Sequence, residues 1–411
     1  MDLKSGYPYW AVKNGLMQAF PKLDRDMTCE VVVIGGGITG ALIADELAQN
    51  GHGVTVLERR DVGWGSSAAS TALIQYEIDT HMTDLAALYG EADAVSAYRA
   101  CARAIDALEE LAEAVGDVDF ARQASLYYAS NEGDIDSLRR EWEMRRQQGF
   151  DADWLTPEAI ASRFAFEAPG AILTPQAARL DPYRMAYKLL DRVLTVGGQV
   201  YDRTEIATAT PHAHGVTLTT TSGHSLDCRH LIVAAGYEAQ TWLDDKVATN
   251  RSSYAFITDP IAEDVLGELA STLIWESARP YLYMRTTGDG RLMVGGEDDD
   301  IDIPTERDQR VGPKAETLIA QVEALFPHLS PNPTFSWGGT FAETDDGLPF
   351  FGPHPQYGPH VHFAMAYGGN GISYSMIGAG LLRALIEGRE HPLAELFSFR
   401  RVGDWQSSRH S

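Results

Sequence analysis

The hydrophobic and polar positions of the first sixty residues predict a strand, a helix and a second strand. Cys29–Ile34 is a short run rich in β-branched residues, which is typical of a buried parallel strand. Apolar residues at helical spacing follow over Ile38–Gln49, and Asn50–Gly53 ends them. Val54–Leu57 then predicts the next strand. This order predicts a βαβ unit.

The rest of the chain has further helical and strand-like segments. Thr156 and Asp181 each precede a proline, and a proline at the first helical position predicts a helix start after both. The predicted strands are Ser125–Ser130, Gln199–Tyr201, Val216–Thr220, His230–Ala234, Tyr254–Thr258, Tyr281–Arg285 and Arg291–Gly295, and the other predicted helices lie in Leu85–Val115, Gly133–Gln148 and Ile372–Glu387. Helices and strands therefore alternate at both ends and in the middle, which predicts two interleaved α/β domains rather than two consecutive ones.

Composition and charge exclude several classes of protein. Of the 411 residues, 44% are hydrophobic and 22% are charged, close to the globular average. No run approaches 18 apolar residues and the start of the chain does not resemble a signal peptide, so we expect no membrane span. A net charge of −25 argues against nucleic acid or anionic lipid as a partner. Three cysteines without metal-ligand spacing predict a reducing, cytoplasmic location.

A glycine-rich turn between the first strand and helix indicates a dinucleotide site. Gly35 permits the tight turn, Gly37 lets a pyrophosphate approach the helix N-terminus, and Gly40 lets the helix pack on the strand. Glu58 ends the second strand, where its carboxylate can bind a ribose and repel a 2′-phosphate. The predicted contacts at this turn are Gly35, Gly37, Ile38, Thr39, Gly40, Glu58 and Arg59, although the motif alone does not separate FAD from NAD, and Arg59 is equally compatible with a solvated surface.

Three more segments of small residues can hold the other parts of a long cofactor. Gly65, Ser66 and Ser67 offer N–H and hydroxyl donors, and Gly236 follows a strand. Gly368, Gly369, Asn370, Gly371 and Ile372 form a second glycine-rich helix start, whose N–H groups can bond a flavin oxygen. A flexible surface loop and a turn before a core helix are the alternatives for the first and last of these segments.

These motifs together resemble the D-amino-acid oxidase, glycine oxidase and sarcosine oxidase family of FAD enzymes. The resemblance is carried by GGGITG at 35–40, VTVLE at 54–58, GSS at 65–67, AAG at 234–236, DGLPFFG at 346–352 and GGNGI at 368–372. YPYW near the start and TALIQYE at 71–77 are similar to its bacterial amine-oxidase-like branch, near gamma-glutamylputrescine oxidase.

The resemblance implies a Rossmann-like FAD-binding domain interleaved with a substrate domain on a large mixed β-sheet. The implied FAD-binding domain comprises 28–120, 155–248 and 340–411, and the implied substrate domain comprises 121–154 and 249–339, after an N-terminal arm at 1–27. In the sarcosine oxidase branch a cysteine links the flavin, whereas 337–346 contains none and Gly339 lies near that position. We therefore expect non-covalent FAD.

The family also implies that the substrate domain supplies an arginine and tyrosines beside the flavin. Tyr281, Tyr283 and Arg285 alternate along a predicted strand, so they share one face. The guanidinium of Arg285 could bind a carboxylate in two-pronged geometry, although a surface strand is an equal alternative. Glu297–Asp300 is predicted to be a solvated acidic loop, and no metal site is expected.

The sequence thus predicts an FAD-dependent oxidoreductase that oxidises the C–N bond of an amine or an N-substituted amino acid by hydride transfer to flavin. Oxygen or another acceptor would then reoxidise the flavin. A flavin- or NAD-linked dehydrogenase of another substrate class and a non-catalytic nucleotide-binding subunit are the alternatives.

Overall fold

The computed structural model describes residues 2–401. Residues 402–411, which belong to the range predicted for the FAD-binding domain, lie outside the described residues.

The described residues form strands and helices throughout. The strands are β1 (Lys4–Gly6), β2 (Met27–Ile34), β3 (Val54–Leu57), β4 (Leu73–Gln75), β5 (Ala121–Tyr128), β6 (Asp153–Leu155), β7 (Ala171–Arg179), β8 (Gln199–Tyr201), β9 (Ile206–His212), β10 (Gly215–Thr220), β11 (Ser225–Val233), β12 (Thr249–Pro260), β13 (Thr272–Glu276), β14 (Tyr283–Thr286), β15 (Arg291–Asp299), β16 (Pro333–Glu343), β17 (Phe350–Pro353) and β18 (Val361–Met365). The α-helices are α1 (Tyr9–Asn14), α2 (Ile38–Gln49), α3 (Ser66–Ala69), α4 (Met82–Tyr89), α5 (Glu91–Val115), α6 (Ile135–Gln147), α7 (Pro157–Phe164), α8 (Pro182–Thr195), α9 (Glu263–Leu266), α10 (Pro304–Leu325) and α11 (Gly371–Ile386).

An eight-stranded sheet contains the predicted βαβ unit. Its order is β17-β18-β11-β2-β3-β8, with β10 beside β11 and β9 beside β10. The strands from β18 to β8 are parallel. Both α2 and β3 have the predicted bounds. Because parallel strands end at one edge, the loops that follow β2, β3, β11 and β18 lie together there.

A ten-stranded mixed sheet faces that edge. Its order is β1-β16-β12-β15-β14-β13-β5-β7-β4, with β6 beside β7. The predicted helix starts are confirmed, because the Thr156 hydroxyl accepts a hydrogen bond from Ala159 N and the Asp181 carboxylate accepts one from Arg184 N.

The N-terminal arm belongs to this second sheet. Lys4 of β1 pairs with Gly339 of β16, and α1 follows. The buried guanidinium of Arg307, on α10, holds the arm by donating to the hydroxyl of Ser5 and to the carbonyl oxygen of Asp2. The arm therefore contains a strand and a helix, neither of which was predicted from the sequence pattern.

The sequence pattern also misses α10, because only strands were predicted between 250 and 340. The helix packs on β12, β15 and β16. Its buried residues Val311, Ala315, Leu318 and Val322 are three or four positions apart, as expected for one helical face. Pro313 interrupts that signal inside the helix.

The strands of the two sheets can be compared with the predicted domain ranges. Every strand of the eight-stranded sheet lies within the ranges assigned to FAD binding, except the first residue of β2. The ten-stranded sheet takes β5 and β12 to β15 from the substrate ranges, but also β1, β4 and β7 from outside them. The division into two domains stays a prediction.

Among the helices of residues 2–401, none combines the length and the apolar composition that crossing a membrane requires.

Candidate functional site

One cavity lies between the carboxyl edge of the parallel strands and the ten-stranded sheet. Its volume is about 480 Å³. The loops after β2, β3, β11 and β18 form one wall, and Trp275, Tyr281, Tyr283, Asp298 and Trp337 contribute to the opposite wall. The arrangement matches the rule that ligands of open α/β sheets bind at the carboxyl ends of the strands.

The glycine turn after β2 is shaped by close approach of backbone atoms. Gly35 has a φ of +112°, and a Cβ there would lie 2.2 Å from the carbonyl oxygen of Ala234. A Cβ at Gly40 would lie 1.9 Å from the carbonyl oxygen of Gly35. Gly40 does not line the cavity; its close contact is with the turn at Gly35, and a Cβ there would lie 3.5 Å from the Val33 side chain of β2.

Glu58 both lines the cavity and braces the turn. Its two carboxylate oxygens accept hydrogen bonds from the N–H groups of Gly36 and Arg60, each at 2.8 Å. Burial raises the pKa of this carboxyl, and those two bonds and the nearby arginines oppose the rise. The Glu58 side chain is thus fixed in place by the loops that surround it.

Residues 66–79, the central segment, run along the cavity between the two sheets. The indole N–H of Trp337 donates to the carbonyl oxygen of Ala69, and that of Trp10 donates to the carbonyl oxygen of Ser70, both at 2.8 Å. Both tryptophans are fully buried. These bonds satisfy backbone carbonyl groups that no strand pairs.

The start of α11 is tied to the same segment. The side-chain amide of Asn370 donates to the carbonyl oxygens of Gln75 and Glu77 at 3.0 and 2.9 Å. The Gly369 N–H donates to the Asp79 carboxylate at 2.9 Å. These donors are therefore already used within the protein, whereas the N–H groups in the first turn of α11 have no acceptor in the helix itself.

The structure brings most of the predicted cofactor-site residues together. The lining includes Gly35, Gly37, Ile38, Thr39, Glu58, Arg59, Gly65, Ser66, Ser67, Gly236, Gly368, Gly369, Asn370, Gly371 and Ile372, and it also includes Tyr281 and Tyr283.

Arg285 does not line this cavity. Its guanidinium donates to the carbonyl oxygens of Thr71, Leu180 and Thr286 at 2.7, 3.0 and 3.2 Å, and it lies 5.2 Å from the ring of Trp10. The side chain is 0% exposed. The assignment as a carboxylate ligand is corrected, because all three nitrogens serve the backbone; the surface alternative is wrong as well.

Asp298, which was predicted to lie in a solvated loop, lines the cavity instead. β15 continues to Asp299, so its last residues alternate between two faces. Glu297 forms an ion pair with Lys314 at 3.1 Å and Asp299 with Arg310 at 2.9 Å, whereas Asp298 faces the cavity. The description of a solvated acidic loop is wrong for Asp298, and the period-two alternation was the available signal.

Asp298 has an unusual environment. Its Oδ1 is buried and has no hydrogen-bond partner in the described residues. Burial raises the pKa of Asp298 to about 7, and the nearby carboxylates of Glu343 and Asp79 add to the rise, while the Ser253 hydroxyl and the Arg279 guanidinium oppose it.

Two of the tyrosines that line the cavity, Tyr281 and Tyr283, contact each other, and Tyr281 also contacts Asp79. The rings of Tyr281 and Tyr283 lie 5.8 Å apart, edge to face. The Tyr281 hydroxyl donates to Asp79 Oδ1 at 3.3 Å, and the Tyr283 hydroxyl lies 3.1 Å from the hydroxyl of Ser253. Burial raises the pKa of both phenols, so both are neutral hydrogen-bonding groups.

Replacing Arg285 by lysine should destabilise the fold. An ammonium group cannot reach three carbonyl groups in different directions, and each lost bond to a buried charged group costs about 1.5–3 kcal/mol. We expect the free energy of unfolding to fall by about 2–4 kcal/mol in denaturant titrations. Arg163→Lys is the control, since Arg163 forms a half-exposed ion pair with Glu268. If Arg285→Lys keeps the wild-type stability but binds carboxylate ligands more weakly, the structural role given to Arg285 is wrong.

Asp298→Asn should change the pH dependence of stability. Because the folded-state pKa of about 7 exceeds the ordinary value, the acid form stabilises the fold at low pH, and this contribution is lost as the pH rises from 4 to 7. We expect wild type to lose on the order of 3 kcal/mol relative to Asp298→Asn across that range, measured by denaturant unfolding. The exposed Asp264→Asn is the control. If the free energy of unfolding varies with pH in the same way for wild type and Asp298→Asn, the raised pKa of Asp298 is wrong.

Known proteins are similar to this chain over most of its length, with about a quarter of the residues identical. A family model described as FAD dependent oxidoreductase matches residues 30–385. Glycine oxidase of Geobacillus kaustophilus (strain HTA426) is 27% identical over 385 residues, spanning 91% of this chain and 97% of the relative. Gamma-glutamylputrescine oxidoreductase of Escherichia coli (strain K12) is 24% identical over 406 residues, spanning 92% and 88%.

The fold of this chain is also similar to that of a solved structure. The crystal structure of glycine oxidase from Geobacillus kaustophilus superposes with a TM-score of 0.76 at 21% identity, covering 90% of this chain and 98% of that one. The family match covers most of the chain, and the cavity contains the glycine turn, Glu58 and the second glycine-rich segment. The chain therefore belongs to the family of FAD-dependent oxidoreductases that includes D-amino-acid oxidase, and FAD is its cofactor.

Proposed function

We propose that the protein oxidises a C–N bond of an amine or an amino acid, with FAD as the hydride acceptor. The observation that carries the proposal is a single cavity that joins the dinucleotide turn to a wall of aromatic and acidic side chains. Two relatives are named for glycine and for gamma-glutamylputrescine, and both compounds contain C–N bonds.

The dinucleotide end of the cavity fits FAD. Glu58 would accept hydrogen bonds from the ribose hydroxyls, and the helix N-terminus at Gly37 and Ile38 would hold the pyrophosphate. The Ser66 hydroxyl is buried and has no partner in the described residues, so it is a donor that a ligand oxygen would satisfy.

The other end of the cavity fits a flavin ring. The first-turn N–H groups of α11, at Gly371 and Ile372, are suited to a partly negative ring oxygen, because the helix dipole is positive there. FAD, when bound, supplies a two-electron hydride acceptor. None of the three cysteines lines the cavity, which supports non-covalent FAD.

The residues around the substrate position would orient the amine and exclude water. Trp275, Tyr281 and Tyr283 present aromatic rings that would cover the substrate and exclude water from it. Loss of hydride from the carbon next to the amine nitrogen leaves an iminium ion, which water hydrolyses to a carbonyl compound and an amine or ammonia. The protein itself would contribute the binding and the orientation of the substrate.

The electron acceptor and the location of the protein are further parts of the proposal. Oxygen or another acceptor would remove the two electrons from the reduced cofactor. The three free cysteines support a cytoplasmic location.

The purified protein should contain FAD that acid or heat releases into the supernatant. Anaerobic addition of a series of amines and amino acids should bleach the flavin absorbance for at least one of them, and air should restore the absorbance if oxygen is the acceptor. Flavin retained in the protein pellet would exclude the non-covalent form. A flavoprotein that no amine or amino acid bleaches would exclude C–N oxidation and favour a non-catalytic subunit.

Glu58→Gln should weaken FAD binding. The amide presents an NH₂ group where the wild-type carboxylate accepts a backbone N–H, and charge-assisted bonds to the ribose are lost. We expect the dissociation constant of FAD to rise by tenfold to a hundredfold, about 1.4–2.7 kcal/mol, in titrations of the apoprotein. Glu316→Gln, on the exposed face of α10, should leave the constant unchanged. Equal affinities of wild type and Glu58→Gln would show that Glu58 does not hold the ribose.

A further inference from the structure

A second cavity adjoins the first where Asp79 and Asp298 line both. Its volume is about 450 Å³, and it shares Asp79, Asp298 and Gly368 with the first cavity. A ligand in the first cavity can therefore extend past Asp298 into the second. Glu343 adds a third carboxylate to the lining, and Arg251 and Arg279 add two positive charges.

Both arginines already have partners. Arg251 forms ion pairs with Asp300 and, at 2.7 Å, with Glu343. The guanidinium of Arg279 lies 4.3 Å from the ring of Tyr281 and donates to the backbone carbonyl oxygen of Asp79 at 3.3 Å. Arg251 would have to give up a carboxylate to bind the carboxylate of an amino acid, whereas the bond to Asp79 occupies only one of the five N–H donors of Arg279.

Asp298 is different, because the nearby Arg279 guanidinium makes no ion pair with it and compensates its charge only in part. No lysine or arginine of the described residues forms an ion pair with it, and its Oδ1 is buried and accepts no hydrogen bond from them. A buried carboxylate oxygen without a donor is costly, and a cationic N–H donor on a ligand would remove that cost. The contact would be a charge-assisted hydrogen bond in a site shielded from water.

The chemistry of the reaction decides which nitrogen this carboxylate can serve. The nitrogen that loses hydride from its neighbouring carbon must be uncharged, because it donates its lone pair to that carbon. A carboxylate beside it would favour the ammonium form and so oppose the reaction. Asp298 therefore suits a second nitrogen, which stays protonated and does not react.

We propose that the substrate is a diamine, and that Asp298 binds the ammonium group at the end that does not react. This inference rests on the proposed C–N oxidation and names its substrate class. The reacting nitrogen lies at the cofactor end of the first cavity, away from the two carboxylates, and the alkyl chain leads past Tyr281 towards the second cavity. An amino acid is a poorer ligand, because its carboxylate would meet the carboxylates of Asp79 and Asp298.

The test compares ligands of equal length on the FAD-loaded enzyme. The probes are α,ω-diamines of three to eight carbons, the n-alkylamines of the same lengths and the corresponding ω-amino acids. Each is titrated anaerobically at pH 8.5, where Asp298 is ionised. Stopped-flow absorbance measures two quantities separately. The initial perturbation of the oxidised flavin spectrum gives the dissociation constant, and the later loss of absorbance gives the rate of bleaching. We expect at least one diamine to bind tenfold or more tightly than its matched monoamine, and the amino acids to bind most weakly.

Asp298→Asn provides the matched variant. An amide cannot form the charge-assisted bond, so we expect the ratio of monoamine to diamine dissociation constants to fall to within about threefold. Asp264→Asn, on an exposed part of α9, should keep the wild-type ratio. FAD content and melting temperature show whether each variant is folded. If Asp298→Asn does not fold, the wild-type comparison alone still decides the question.

The results separate this inference from the proposed function. If monoamines and diamines of every length bleach the flavin with equal dissociation constants, C–N oxidation holds and the diamine inference is overturned. An Asp298→Asn variant that slows bleaching by both ligand classes equally, without changing their ratio, would overturn it too, because Asp298 would then act on the reacting nitrogen. If amino acids bleach the flavin and no diamine does, the diamine inference alone is overturned. If no amine and no amino acid bleaches it, the proposed function itself fails.

Discussion

A stretch of backbone buried between two sheets needs hydrogen-bond donors, and this need shapes the whole cavity. The central segment, 66–79, lies between the parallel edge and the ten-stranded sheet, and only β4 within it pairs as a strand. The side chains of Trp10, Arg285, Trp337 and Asn370 donate to its carbonyl groups from four separate elements. Since an unpaired buried carbonyl group is costly, each donor fixes the position of one part of the cavity wall.

The two ends of the cavity are built in different ways. Backbone N–H groups of helix starts and a strand-end carboxylate form the cofactor end, so a short local motif is enough to specify it. Side chains from several distant strands form the substrate end, among them Tyr281, Trp275 and Asp298. This difference fits a family in which one cofactor site accompanies different substrates.

The same difference explains what the sequence could predict. Local spacing predicted the bounds of α2 and the residues of the glycine turn. Alternation also put Tyr281 and Tyr283 on one face, yet it could not show that the Arg285 side chain continues to backbone carbonyl groups of two distant loops. Asp298 carried a readable signal, because its neighbours in β15 form ion pairs on the opposite face.

The pairing of β1 with β16 has a consequence for the order of assembly during protein synthesis. Lys4 leaves the ribosome early, but its partner Gly339 is made only near the end of the chain. β1 must therefore wait for β16, whereas α1, which carries the Trp10 donor to the Ser70 carbonyl group, packs on α3 and α8 and can dock earlier. The cavity is completed only after Trp337 and residues 368–372 have been translated, so a nascent chain that stalls before β16 would lack these lining residues and also β17 and β18 of the eight-stranded sheet.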